Sequence, residues 1–117
     1  MKLPLSDNNR LEHIVDAANT VLQQYAALPD GKLPDGDFRF FAFVKCVEII
    51  GEAAYCLSRE FRKDHPDVEW TKIIRLRHIL VYDYDTIDDT ALFRIIKDPV
   101  PVLRDWATEY LANSPNA

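Results

Sequence analysis

The sequence predicts an all-α fold, an antiparallel bundle of four to five helices. Apolar residues recur at three- and four-residue spacing along most of the 117 residues, clusters of turn-forming residues separate these periodic stretches, and no run alternates as a β-strand does. The connections are short, which suits helices that pack against their neighbours in sequence. We expect a single domain over residues 1–117, with its core between about 7 and 112.

The first two helices follow from their caps and apolar spacing. Ser6 or Asp7 can cap the first helix, which is predicted to end near Leu28. Residues 29–36 contain two proline-containing turn signals and form a loop. Asp37 then caps a second, longer helix, whose apolar period continues for roughly six turns to Phe61.

Gly51 lies inside this second helix, where glycine costs roughly 1 kcal/mol relative to alanine. Such a position suits the close approach of another backbone, so we expect a helix crossing at Gly51 with Glu52 beside it. Arg59, Arg62 and Lys63 crowd the predicted end of the same helix. They are interpreted first as a solvated end that suits the helix dipole, and second as part of a phosphate-binding rim.

The second half of the chain supplies the remaining helices. A third helix is predicted from Val68 or Glu69 to near Tyr82, after the break at residues 64–67. A polar stretch over residues 85–90 precedes a fourth helical segment. Pro99 and Pro101 then either kink that segment or begin a fifth helix, since proline is tolerated in a first turn.

Charge and composition exclude several classes of protein. The net charge is −5, so RNA or a nucleotide would have to bind at a local basic patch rather than over the whole surface. Cys46 and Cys56 lie ten residues apart on one predicted helix, about 15 Å along its axis, which is too far for a disulfide. They are interpreted as buried thiols in a reducing compartment. Without a signal peptide or an apolar span of about 20 residues, the protein is expected to be cytoplasmic.

Residues 70–84 combine arginine, histidine and tyrosine side chains with an apolar background. The guanidinium of Arg77 is suited to gripping a phosphate through two parallel hydrogen bonds. RNA cleavage without a metal needs a base, an acid and a cation on the phosphate, and Arg77 suits the third role. A buried polar belt between helices is the plainer interpretation of the same residues.

The base is the difficulty, because a tyrosine with an ordinary pKa near 10 is a poor base at neutral pH. Histidine is the residue type that exchanges protons near neutral pH, so His78 is a candidate, although a structural histidine is the simpler interpretation. On a helix, His78 shares a face with Tyr82, whereas Arg77 would face the same way as Tyr84. No metal or cofactor is expected, since the histidines lack ligand spacing and no glycine-rich phosphate loop is present.

Three motifs together resemble the HepT branch of the HEPN superfamily. They are Gly-Glu-Ala at 51–53, Pro-x-x-x-Trp at 66–70 and the run from Arg77 to Tyr84, where the family has Arg-Asn-x-x-x-His-x-Tyr. The resemblance covers roughly Arg10 to Leu111. It implies an all-α bundle that forms a two-fold dimer, with the motif arginines and histidines of both chains lining one cleft.

The resemblance also implies an activity and a partner. Members of this branch are metal-independent endoribonuclease toxins, usually paired with a small nucleotidyltransferase antitoxin that modifies the motif tyrosine with adenylate. Arg77 matches the motif arginine and Tyr84 the motif tyrosine. Tyr82 stands in place of the catalytic histidine, and His78 in place of the asparagine.

The candidate site residues follow from the motifs. The candidate catalytic residues are Arg77, Tyr82 and His78, and the candidates for binding or modification are Tyr84, Arg75, Asp83 and Glu52. Replacing a general base by tyrosine removes a contribution of about 10²–10⁴-fold. The first hypothesis is therefore a toxin-type RNA-binding domain whose cleavage is weakened or lost. The second is a non-catalytic module that presents Tyr84 to a nucleotidyltransferase, and the third is a helical dimer that serves interaction alone.

Overall fold

The computed structural model describes residues 6–114, except for the side chain of Tyr84. Its helices are α1 (Asp7–Ala26), α2 (Arg39–Tyr55), α3 (Arg59–Asp64), α4 (Trp70–Tyr82), α5 (Asp89–Lys97) and α6 (Pro99–Ala112), with short 3₁₀ turns at Pro29–Gly31 and Tyr84–Thr86. No strand occurs within the described range. The prediction of an all-α bundle is confirmed, with five helices of nine or more residues and one short helix of six.

The N-terminus of α1 is capped by Ser6, as one of the two predicted alternatives. The Ser6 hydroxyl accepts the backbone N–H of Asn9 at 3.1 Å, and the Asn9 side chain accepts the N–H of Ser6 at 3.3 Å. This reciprocal arrangement satisfies two backbone donors at once. Asp7 has a different role, because its carboxylate accepts both the backbone N–H and the hydroxyl of Ser58 at 2.8 Å.

The prediction of one continuous second helix to Phe61 was wrong. Helix α2 ends at Tyr55, and α3 begins at Arg59 after the extended residue Ser58. The Ser58 hydroxyl accepts the N–H of Phe61 at 3.1 Å and so caps α3, while Asp7 holds Ser58 from α1. Phe61 stays buried across the break, which is why apolar periodicity could not reveal it.

The break also changes how the surrounding residues are interpreted. Arg59 begins α3 instead of ending α2, so only Arg62 and Lys63 lie in a last turn.

At the other end of α2, Phe38 occupies the cap position and the Asp37 carboxylate accepts the N–H of Arg39 at 2.9 Å. The guanidinium of Arg39, donating to the same carboxylate, lowers the pKa of Asp37 from 3.8 to about 2.

The remaining helix predictions agree with the structure to within about three residues, the largest difference being at the start of α5, which begins at Asp89 within the predicted polar stretch. Helix α4 runs from Trp70 to Tyr82, and Asp88 caps α5 by accepting the N–H of Ala91 at 2.8 Å. Of the two alternatives for the prolines, the second is correct, because Pro99 begins α6 as a separate helix.

Helix α2 lies at the centre of the bundle, packed against α1 and α4, while α1 also packs against α6. The core is contributed by the apolar faces of the longer helices, and its fully buried large side chains are Leu11, Ile14, Val21, Val47, Leu80, Leu92, Ile96 and Val100. Within the described part of the chain, no helix is long and apolar enough to cross a membrane.

An aromatic cluster joins α3 and the start of α4 to α6. The indole of Trp70 donates to the carbonyl of His65 at 3.0 Å, and the indole of Trp106 donates to the Asp67 carboxylate at 2.9 Å. The two indoles meet edge to face with centroids 5.5 Å apart. The tryptophan of the Pro-x-x-x-Trp motif therefore anchors the beginning of the helix that carries Arg77.

Candidate active-site groove

The crossing of α2 and α4 places Arg77 directly against Gly51. A Cβ atom built on Gly51 would lie 2.5 Å from the Cβ of Arg77 and 3.0 Å from its backbone nitrogen. Only glycine allows this approach without displacement of α4. The predicted close approach at Gly51 is confirmed, and it explains why glycine stands in the middle of a helix.

Glu52 binds Arg77 at this crossing. The Arg77 Nε atom forms an ion pair with one carboxylate oxygen of Glu52, and the thiol of Cys56 donates to the other oxygen at 3.6 Å. The guanidinium also lies over the ring of Tyr55, 5.4 Å from its centroid. The side chains of Arg77 and Glu52 are 30% and 46% exposed, so the pair is accessible from solvent.

A guanidinium held in this way remains able to bind an anion. Arg77 carries five N–H donors in a planar fork, and a carboxylate in the usual paired geometry takes two of them. The Tyr55 ring restricts the plane of the guanidinium, which reduces the conformational freedom that binding would otherwise remove. The crossing thus presents an oriented arginine rather than a mobile one.

Arg77 lines a groove of about 340 Å³ that also involves α1. Its lining comprises Arg10 and His13 of α1, Lys45, Glu48, Ile49, Glu52 and Ala53 of α2, and Arg77 and Val81 of α4. Sequence reasoning identified Arg77 and Glu52 of this set and missed the others. Arg10 and His13 are three residues apart on the polar face of α1, and that spacing alone does not indicate which neighbour the face meets.

His78 and Tyr82 lie outside this groove. Their rings are 4.8 Å apart at 45°, which confirms that they share one face of α4. Both side chains are exposed, Tyr82 to 64%, and neither contributes to the lining around Arg77. Within one chain, therefore, the two candidate proton-transfer residues do not adjoin the arginine that would hold the phosphate.

The other predicted site residues lie on α4 or just beyond its end. Arg75 and Asp83 are exposed. The carbonyl of Asp83 accepts the backbone N–H of Thr86 at 3.0 Å and its hydroxyl at 2.8 Å, which turns the chain. The backbone of Tyr84 begins this turn, while its side chain lies outside the described residues. Because α4 ends at Tyr82, the helical relation between Arg77 and Tyr84 does not hold.

The cysteines and possible metal ligands complete the inventory of reactive groups. Cys46 and Cys56 are unpaired and half-buried rather than fully buried, and Cys56 lies just beyond the end of α2. Burial raises the pKa of the Cys46 thiol. Among residues 6–114, no group of three or more histidine, cysteine, aspartate or glutamate side chains is placed to hold a metal ion.

Comparisons with known proteins agree on one family. The family model described as Ribonuclease HepT-like matches residues 22–109, which include the α2–α4 crossing. The Methanocaldococcus jannaschii protein named "Putative RNase MJ1380" is 31% identical over 94 residues, covering 80% of this chain and 86% of that protein. "Putative RNase TTE0752" of Caldanaerobacter subterraneus is 29% identical over 101 residues, covering 86% and 90% of the two chains.

A third relative carries the family name. "Probable ribonuclease HepT" of Thermococcus cleftensis is 33% identical over 64 residues, which cover 55% of this chain and 58% of that protein. No solved structure matches the chain. The family match extends over most of the chain and includes all three motifs, from Gly51 to Tyr84. This chain therefore belongs to the HepT-like ribonuclease family of the HEPN superfamily.

Proposed function

We propose that this protein is a toxin-type RNA-binding domain that holds a scissile phosphate at Arg77 and cleaves RNA weakly or not at all. The observation that carries the proposal is the oriented Arg77 guanidinium in the groove, with Tyr82 in place of the motif histidine and in contact with His78 outside it. The arrangement supplies a cation for the phosphate without an adjacent group suited to remove the 2′-hydroxyl proton at neutral pH.

A two-fold dimer belongs to the same proposal. Exposed apolar side chains fall on one side of α2 and at the end of α4, namely Phe38, Phe41, Ile49, Tyr55 and Tyr82. Large exposed apolar residues gathered in one region favour association. Ile49 also lines the groove, so a second copy on this face would extend the groove across the interface and bring the partner's α4 towards it.

RNA cleavage with purified protein tests the proposal. The protein is incubated with tRNA and mRNA in EDTA, and binding is measured in parallel with a labelled single-stranded RNA. We expect binding that Arg77→Ala abolishes, together with little or no cleavage. Arg94→Ala is the matched control, because Arg94 is an exposed arginine of α5 outside the groove. Cleavage that survives Arg77→Ala would contradict the role given to Arg77.

A second candidate function is a module that presents Tyr84 to a nucleotidyltransferase. Supporting it, the Tyr84 backbone lies in a 3₁₀ turn beyond α4, and its neighbours Asp83, Asp85 and Thr86 are all exposed. Modification of a tyrosine hydroxyl by a transferase requires no histidine in this chain.

Mass spectrometry after co-expression with a genomically neighbouring nucleotidyltransferase tests this second candidate. The expected result is an adenylate adduct on Tyr84 that is absent from Tyr84→Phe. If no adduct forms and the two proteins elute separately from a sizing column, the chain does not act as such a module.

A further inference from the structure

The groove that holds Arg77 contains more positive charge than its own carboxylates neutralise. Lys45 pairs with Glu48 at 3.4 Å, and Arg77 pairs with Glu52. Both internal carboxylates are thereby engaged. Arg10 is the third cation of the lining, and no carboxylate of the groove remains for it.

Arg10 has an unusual environment for a surface arginine. Its Nε atom is shielded from solvent and has no hydrogen-bond partner among residues 6–114. A polar group that has lost its water without gaining a partner is unfavourable, and more so when the group is charged. The chain as a whole has more acidic than basic residues, with a net charge of −5. A shortage of acidic residues therefore does not explain why Arg10 has no carboxylate partner.

We infer that Arg10, with His13 beside it, is a second phosphate-binding position in the groove, occupied by the backbone of a single-stranded RNA whose neighbouring phosphate lies at Arg77. This inference rests on the proposed RNA binding at Arg77. His13 follows Arg10 by three residues on α1, so both side chains reach the same wall of the groove.

The layout of the groove favours two phosphates over one. Arg10 and Arg77 project from α1 and α4, and both helices pack against α2, whose residues form the floor between them. Adjacent packed helices have axes about 8–10 Å apart, and α1 and α4 both pack on α2, so the two arginines reach the groove from separate walls. A flexible nucleic-acid strand can place successive phosphates at the two walls, as in other grooves that follow a backbone.

Binding of a fluorescein-labelled single-stranded RNA oligonucleotide, followed by anisotropy over a range of salt concentrations, tests the inference. We expect Arg10→Ala to weaken binding by about tenfold or more, since hydrogen bonds to a charged group contribute strongly. The slope of log affinity against log salt should fall by about 0.7, the value for one lost contact to a single-strand phosphate. Arg10→Lys, which keeps the charge, should restore most of the slope and part of the affinity.

Arg94→Ala serves again as the matched control and should change neither quantity. Melting temperatures establish that each variant is folded. If Arg77→Ala weakens binding and Arg10→Ala leaves both affinity and slope unchanged, the second position is refuted while the proposed function stands. If the unaltered protein binds no RNA, both fail. If Arg10→Ala alters only the sedimentation coefficient, Arg10 serves an interface between copies and the inference is wrong.

Discussion

At the scale of single residues, Arg77 lies in the groove while His78 and Tyr82, the candidate proton-transfer residues, lie outside it within one chain. Adjacent residues on a helix point about 100° apart, so His78 cannot join Arg77 in the groove of its own chain. Instead its ring contacts that of Tyr82, one turn later on the same face. The family resemblance places the catalytic histidine at position 82. In the proposed dimer, a histidine there would act in the cleft that both chains line.

Tyr82→His is the substitution that most directly tests the proposed loss of cleavage. Position 82 is exposed, so a smaller imidazole fits without repacking. We expect the rate of RNA cleavage to rise by as much as about 10²–10⁴-fold, the contribution that a general base typically makes. A gel assay with tRNA in EDTA measures it, and Tyr82→Phe is the control that alters the ring without adding a base. No gain in cleavage would show that more than the base is missing.

A second residue-scale prediction concerns Asp37 at the start of α2. Because the Arg39 guanidinium and N–H both donate to the carboxylate, its pKa is lowered from 3.8 to about 2. The carboxylate therefore stabilises the folded state above pH 3.8, and this contribution disappears as the pH falls from 3.8 to about 2. A carboxyl-detected NMR titration should place the midpoint near 2, and Arg39→Ala should move it upward. A midpoint at the ordinary value would mean that the contact does not persist in solution.

At the scale of elements, the α2–α4 crossing determines the placement of the site. Glycine at position 51 lowers the intrinsic stability of α2, and the contact with Arg77 explains why it is tolerated. The same crossing brings Glu52 and Tyr55 to the guanidinium, so the packing of the two helices and the proposed binding at Arg77 both depend on Gly51.

Gly51→Ala should therefore destabilise the protein, although alanine is the better helix former. The new methyl would lie 2.5 Å from the Arg77 Cβ, which forces α2 and α4 apart. Overpacking of this kind costs about 1–3 kcal/mol. Because the backbone N and Cα of Arg77 also lie 3.0 and 3.1 Å from the new methyl, the cost should fall towards the upper end and outweigh the roughly 1 kcal/mol gained in helix propensity. Urea unfolding followed by circular dichroism measures the difference, and RNA binding should weaken in parallel. An increase in stability would show that the crossing is looser than described.

At the scale of the whole molecule, the apolar surface around α2 and α4 predicts association. Phe41 is 64% exposed on the α2 surface, whereas Val102 is 71% exposed on α6, outside that surface. We expect sedimentation at micromolar concentration to give twice the chain mass of 13.5 kDa. Phe41→Glu should shift the protein towards one chain, and Val102→Glu, a matched change elsewhere, should not. A mass of one chain for the unaltered protein would rule out the composite cleft.

Most of the fold was predictable because helix formation is governed by local chemistry. Apolar spacing located five of the helices. Ser6 was one of two predicted caps for α1, and Asp88 lies in the stretch that was predicted to be rich in capping residues. Pro99 begins a separate helix, which was one of the two predicted alternatives. Gly51 even predicted a contact between distant helices, since a glycine inside a helix is unfavourable unless its missing side chain is needed. The three motifs were sufficient to predict the family.

The tertiary structure decided the rest, because it depends on contacts between residues far apart in the chain. The break between α2 and α3 is held by Asp7, fifty-one positions away from Ser58, and no local pattern announces it. Arg10 and His13 join the site only because α1 packs beside α2, which periodicity cannot orient. The sequence thus specified five of the helices, the Gly51 crossing and the residue type at each motif position. Packing specified which charges share a groove, and it placed Arg77 with Arg10 and His13 instead of with His78 and Tyr82.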